Sequence, residues 1–81
     1  MNLDTAVRNA LMAIGSDESS DGFMMALKTD AKNNDDVKAI AEELVRLECL
    51  DKGYIIAGHS IQGQTHKGKA IDLLEKGVEV R

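Results

Sequence analysis

The fold is decided by residues 44–57, which read LVRLECLDKGYIIA, because the spacing of apolar residues changes within them. The leucines at the start recur at helical spacing, in register with apolar residues back to Val37. After Gly53, a run of Tyr, Ile, Ile and Ala has no helical period and is typical of a short strand. The stretch therefore predicts a long helix over 35–52 that gives way to a β-strand at 54–57.

The residues that follow predict a hairpin and a closing helix. Gly-His-Ser at 58–60 is typical of a turn, and 61–65 is the expected returning strand. Thr65 is the predicted N-cap of a helix over 66–76, because its hydroxyl can accept from a free backbone N–H of the first turn. Gly77 is expected to end that helix.

The residues that precede this stretch predict two further helices. Apolar residues at helical spacing place them at 3–14 and 21–32. Gly15 is expected to end the first helix in a left-handed conformation, and Asp21 to cap the second. The pair Asp35–Asp36 suits the start of the third helix, where carboxylates face the positive end of the helix dipole.

The 81 residues thus predict one mostly helical α+β domain spanning 1–81. Three helices come first, then a small hairpin, then a closing helix. A lone hairpin is marginal in water, so it is expected to pack on the helices. The expected core residues are Leu11, Leu27, Ile40, Leu44, Leu47, Ile56 and Leu74. Cys49 is expected to be buried as a small apolar residue, whereas Met12 and Met25 are expected at the surface.

Two segments of this chain resemble the winged-helix family. Residues 44–56 resemble a winged-helix third helix that runs into the wing, and residues 65–74, with Thr65 before a Lys-Gly pair, resemble the helix after the wing. The small YjcQ-like proteins of bacilli and their phages are similar in character. The chain departs from the family pattern at Cys49 and Gln64, where aliphatic residues are usual.

The resemblance implies a winged helix-turn-helix fold and DNA binding, as a transcription regulator or accessory factor of bacterial or phage origin. The third helix would enter the major groove and the wing would contact the backbone. The formal charge is −4, yet residues 58–69 hold two lysines, two histidines and no acid. The candidate DNA contacts are Lys38, Arg46, His59, His66, Lys67 and Lys69.

A second function remains open at this point. The outer face expected for the third helix also carries Glu42 and Glu43, with Asp35 and Asp36 at its start. Carboxylates repel phosphates, although they can accept a hydrogen bond from cytosine. The alternative is a protein-interaction module on the same scaffold, using the acidic outer face of the second and third helices without DNA binding.

Three patterns that suggest other chemistry are each incomplete, so we expect no enzyme, cofactor or metal. Residues 58–65 resemble a phosphate-binding loop, but Gln64 stands where that loop needs its lysine. Asp17, Ser19, Asp21 and Gly22 match positions 1, 3, 5 and 6 of a calcium-loop pattern, but Lys28 stands at position 12, where a glutamate should bind the ion. Three soft metal ligands are too few for a closed zinc site; they are Cys49, His59 and His66.

Composition excludes several further classes. The single Cys cannot form an internal disulfide, and two aromatic residues, Phe23 and Tyr54, are too few for a base-stacking platform. No apolar run approaches membrane-spanning length, and the start of the chain lacks a signal-peptide pattern. We therefore expect a cytoplasmic protein whose partner is duplex DNA or another protein. The sequence gives no oligomeric state.

Overall fold

A computed structural model describes residues 1–16 and 20–81, with the backbone alone for 20–22. Within these residues the chain forms four helices and one two-stranded hairpin, which confirms the predicted mostly helical α+β class. The elements are α1 (Leu3–Gly15), α2 (Ser20–Asp30), α3 (Asn34–Arg46), β1 (Ile55–Ile56), β2 (Ile61–Gln62) and α4 (Lys67–Lys76). Helix α2 begins at Ser20, so the prediction that Asp21 caps it is wrong, and the calcium-loop side chains at 17–22 lie outside the description.

Helix α1 is the centre of the fold, because it packs against all three other helices. Its buried stripe repeats at helical spacing: Ala6, Val7, Ala10, Leu11 and Ile14. The prediction that Gly15 ends the helix in a left-handed conformation is wrong, since Gly15 is its last helical residue. A Cβ at Gly15 would lie 3.3 Å from Ile71 Cγ1, so glycine serves here to let α4 approach α1.

Helix α3 ends earlier than its apolar spacing predicts. It stops at Arg46 rather than at residue 52, and Glu48 takes a left-handed conformation with φ of 64°. In a continued helix, Leu47 and Cys49 would point about 200° apart. The turn at Glu48 instead buries both side chains together with Leu50. The helix therefore ends where burial of these residues outweighs further helical hydrogen bonds.

The hairpin is closed at its base by the segment after α3. Ile55 pairs with Gln62 and Ile56 with Ile61, in antiparallel register. A separate bridge joins Leu50 to Thr65. The prediction that Thr65 caps α4 is wrong for this reason: it lies in the ladder, and α4 begins after His66, which makes no side-chain cap.

The hairpin turn lies at 58–60, as predicted. Gly58 has φ of +65°, a conformation that suits glycine, and the Ala57 N–H donates to Ser60 O at 3.1 Å. Gly63 is needed for a different reason, because a Cβ there would lie 3.2 Å from Tyr54 Cβ. The stretch that resembles a phosphate-binding loop is thus a glycine-bearing hairpin.

The core contains five of the seven predicted residues, which are Leu11, Leu27, Ile40, Leu44 and Leu47. Ile56 is half-buried against it. The prediction that Leu74 lies in the core is wrong. Its side chain is 39% exposed, because α4 directs the smaller Ala70 into the core. Leu74 lies beside Gly15, which has no side chain to cover it. Cys49 is fully buried, and Met12 and Met25 are exposed, as expected.

This order of three helices, an antiparallel hairpin and a final helix is compatible with a winged-helix-like arrangement. Across residues 1–16 and 20–81, none of the helices combines the length and the apolar character that crossing a membrane requires.

Candidate nucleic-acid interface

The start of α3 and the turn of the hairpin face a common open cleft of about 560 Å³. Its walls are about equally polar and apolar, and they come from two parts of the chain that are distant in sequence: Asn33, Asn34 and Asp35 at the start of α3, and Gly58 and His59 from the hairpin. These are the two elements to which the sequence analysis assigned the predicted DNA contacts.

The helix side of the cleft is built by the cap of α3. Asn33 Oδ1 accepts from the Asp36 N–H at 2.9 Å, and the Asp36 carboxylate accepts from the Lys32 N–H at 2.9 Å. Asn33 and Asp36 therefore fix the local backbone. Asn34 and Asp35 take no part in this cap and are exposed, so they offer an amide and a carboxylate to a ligand.

The hairpin side of the cleft is held by its tight turn. Ser60 Oγ donates to the Ala57 carbonyl at 2.7 Å, and Gly58 supplies the positive φ that the turn needs. His59 is exposed at the tip. Among the predicted contact residues, His59 is the one that lines the cleft.

Four of the six predicted contact residues lie beside a carboxylate, a feature that sequence reasoning missed. The pairs are Lys38–Glu42 at 4.0 Å, Arg46–Glu43, His66–Asp51 at 2.7 Å and Lys69–Glu48 at 3.7 Å. Two of them follow from helical spacing of three or four residues. The other two pairs depend on the turn at Glu48, which brings Glu48 and Asp51 close to the start of α4.

Lys67 is exposed at the first position of α4 and is likewise engaged in a polar interaction. Within the basic stretch at residues 58–69, His66 and Lys69 are therefore paired with acids from the segment after α3. The face formed by α3, the hairpin and the start of α4 carries mixed charge rather than a uniform positive field.

Arg46 is held more firmly than the other candidates. Its Nε donates to the Glu43 carboxylate, and its Nη2 donates to the Glu79 carbonyl at 2.8 Å. The Glu43 side chain is only 7% exposed. A buried carboxylate requires a partner, so Arg46 stabilises the buried charge of Glu43. This role is not evident from the position of Arg46 in the sequence.

The three soft metal ligands do not form a site. Cys49 is buried with its Sγ 3.6 Å from the Leu47 carbonyl, and burial raises the pKa of the thiol above its usual value. His66 contacts Asp51, and His59 is exposed at the hairpin tip. In the part of the chain that is described, no cluster of three or more His, Cys, Asp or Glu side chains is arranged to hold a metal ion.

Comparison of the chain with protein-family models, with curated proteins and with solved structures found no significant match.

Proposed function

We propose that this chain is a small DNA-binding module that reads duplex DNA with the start of α3 and clamps it with the hairpin. The observation that carries the proposal is the cleft shared by these two elements, with Asn34, Asp35 and His59 exposed around it. Asparagine pairs with the adenine edge, and aspartate accepts from cytosine N4. Side chains of this kind suit base recognition better than bulk attraction to phosphate.

The ion pair at the start of α4 does not prevent phosphate contact. Lys69 and Glu48 are 39% and 78% exposed, and a solvent-exposed pair contributes only about 0–1 kcal/mol. A phosphate oxygen can therefore replace the Glu48 carboxylate with little loss. We expect weak binding because few phosphates are neutralised, and the affinity should fall with salt with a slope of about 0.9 per phosphate contact.

The test is binding of the intact chain to a mixed-sequence duplex by fluorescence anisotropy between about 50 and 200 mM salt. Changing Lys67 and Lys69 to Ala is expected to lower the slope of log affinity against log salt by up to about 1.8, from about 0.9 per phosphate contact. Changing Lys28 and Lys76 to Ala provides a control with the same net charge, at positions away from the cleft. Equal slopes for the two double variants would show that the start of α4 makes no phosphate contact.

A protein partner is the second candidate, and the exposed apolar side chains favour it. Met12 and Leu74 are exposed at 53% and 39% on α1 and α4, which pack together, and Leu74 lies beside Gly15. Charge balance on the α3 face also suits a protein surface. With no DNA affinity at about 50 mM salt, where electrostatic attraction is least screened, the protein-interaction function replaces DNA binding.

A further inference from the structure

The hairpin has one face that packs on the helices and one that does not. Ile56 and Ile61 form one cross-strand pair, and both side chains contact the core. Ile55 and Gln62 form the neighbouring pair. Because successive side chains of a strand point to opposite faces, this second pair lies on the other side of the hairpin. We name it the outer face (Ile55 and Gln62).

Both residues of the outer face are exposed, and neither is engaged in the fold. Ile55 is 59% exposed although it is a large apolar residue, and it lies outside the core cluster. Gln62 is exposed as well, and within residues 1–16 and 20–81 its side-chain amide has no hydrogen-bond partner. An apolar side chain and an amide are therefore available side by side to a ligand.

The charge around the hairpin favours an anionic ligand. Residues 52–71 hold three lysines, two histidines and no acid, although the formal charge of the whole chain is −4. The hairpin can thus approach phosphate groups without repulsion from its own residues. Its tip, at Gly58 and His59, also lines the cleft of the candidate interface. Duplex DNA is therefore the partner that the outer face suits best.

The outer face has the chemistry of the major-groove edge of an A·T base pair. Glutamine binds adenine N6 and N7 with two hydrogen bonds, and an apolar side chain contacts the thymine methyl group. Directly opposed residues of an antiparallel pair have Cβ atoms about 4.5–5.5 Å apart, so Gln62 and Ile55 can contact the two bases of one pair. The major groove is about 12 Å wide and admits a two-stranded ribbon, whereas the minor groove is about 6 Å wide.

We infer that the outer face reads an A·T base pair in the major groove, with Gln62 on adenine and Ile55 against the thymine methyl group. This inference rests on the proposed DNA-binding function and deepens it, because the hairpin then recognises sequence in addition to holding the duplex. Neither residue is among the six contacts predicted from sequence, since those were selected for charge.

The first test is selection from a randomised duplex pool with the intact chain, Gln62→Glu and Asn34→Ala. The intact chain is expected to prefer an A·T pair at one position by about 5- to 150-fold. Gln62→Glu is expected to prefer cytosine there, because a carboxylate accepts from cytosine N4. Asn34→Ala should retain the A·T preference at that position, since Asn34 belongs to α3. An A·T preference that Gln62→Glu leaves unchanged overturns the inference.

The second test removes the thymine methyl group by placing uracil at the selected position. Fluorescence anisotropy should show that the intact chain binds the uracil duplex about 4-fold more weakly, as expected for one buried methyl group. Ile55→Ala should bind both duplexes equally. Met25→Ala is the control, because it shortens an exposed apolar side chain on α2, and it should discriminate as the intact chain does. An equal loss for the intact chain and Ile55→Ala overturns the assignment of Ile55.

Folding of the variants is checked by circular dichroism, and all of them change exposed side chains. The outcomes separate this inference from the function on which it rests. DNA binding without preference for an A·T pair at any position overturns the reading by the outer face and leaves the DNA-binding function standing. No binding by the intact chain at about 50 mM salt overturns both.

Discussion

The two ends of α3 are built for different purposes. At its start, the Asn33 side chain accepts from the Asp36 N–H to form the cap. Asn34 and Asp35 are exposed beside an open cleft. At its end, Glu43 and Leu44 are buried, and Arg46 is bonded to two partners. A single helix of 13 residues therefore has an exposed surface at its start and a buried, hydrogen-bonded end. Changes at the two ends are therefore expected to affect different properties.

The largest effect is expected from Leu44→Ala at the structural end. Leu44 is fully buried, and removing its carbons leaves a cavity that costs about 2–5 kcal/mol. Small domains often have only about 5 kcal/mol of unfolding free energy, so the variant is expected to be partly unfolded. Urea denaturation followed by circular dichroism measures the change, and an unaltered midpoint would contradict the assignment of Leu44 to the core.

The next effect is expected from Arg46→Ala, which leaves the buried Glu43 carboxylate without its partner. We expect a loss of about 1–3 kcal/mol, because a buried group is left unsatisfied. Arg8→Ala is the control, since Arg8 has the same bonding pattern but pairs with an exposed carboxylate; its loss should be about 1 kcal/mol or less. Adding Glu43→Gln to Arg46→Ala should restore part of the stability. Equal losses for the two arginines would show that the burial of Glu43 does not matter.

Just beyond the structural end, Cys49 gives a smaller, pH-dependent effect. Burial raises the pKa of its thiol from the ordinary value of 9.0. The unfolded thiol therefore ionises first as pH rises, while the folded thiol keeps its proton. Folding stability is full below pH 9 and falls above it, by about 1 kcal/mol or less at pH 9.5.

The measurement compares urea midpoints of the intact chain and Cys49→Ala between pH 7 and pH 9.5. Cys49→Ala is less stable throughout, because it removes a buried sulfur. Its stability should nevertheless fall less with pH, since it has no thiol to ionise. Parallel curves for the two proteins would exclude a contribution from Cys49.

The fold was largely predictable because it depends on local patterns. Apolar spacing gave the helices, and the change of period after Gly53 gave the hairpin. The end of α3 was not predictable in this way. Leucines at helical spacing favour continuation to residue 50, and only the tertiary gain from burying Cys49 and Leu50 favours the turn at Glu48.

The candidate site was predictable in part, and for a similar reason. His59 was found from the turn signal, and the acids at the start of α3 from their suitability for the helix dipole. The pairs Lys69–Glu48 and His66–Asp51 were hidden, because they join residues 15 to 21 positions apart. The role of Arg46 was hidden too, since its second partner lies 33 residues away.

The smallest effect on stability, and the most informative for function, is expected at the exposed start of α3. Asn34→Ala changes a side chain outside the cap, so unfolding free energy should shift by about 0.5 kcal/mol or less. If Asn34 reads a base edge, the variant loses about 1–3 kcal/mol of discrimination at one base pair. Affinity for a mixed-sequence duplex should change little, because phosphate contacts are retained.

Selection from a randomised duplex pool, compared between the intact chain, Asn34→Ala and Lys38→Ala, measures this preference. Lys38 lies one turn further along and is paired with Glu42, so it reports whether the contact extends beyond the first turn. Identical preferences in all three proteins would mean that α3 does not read sequence, and the cleft would then serve at most as a backbone contact.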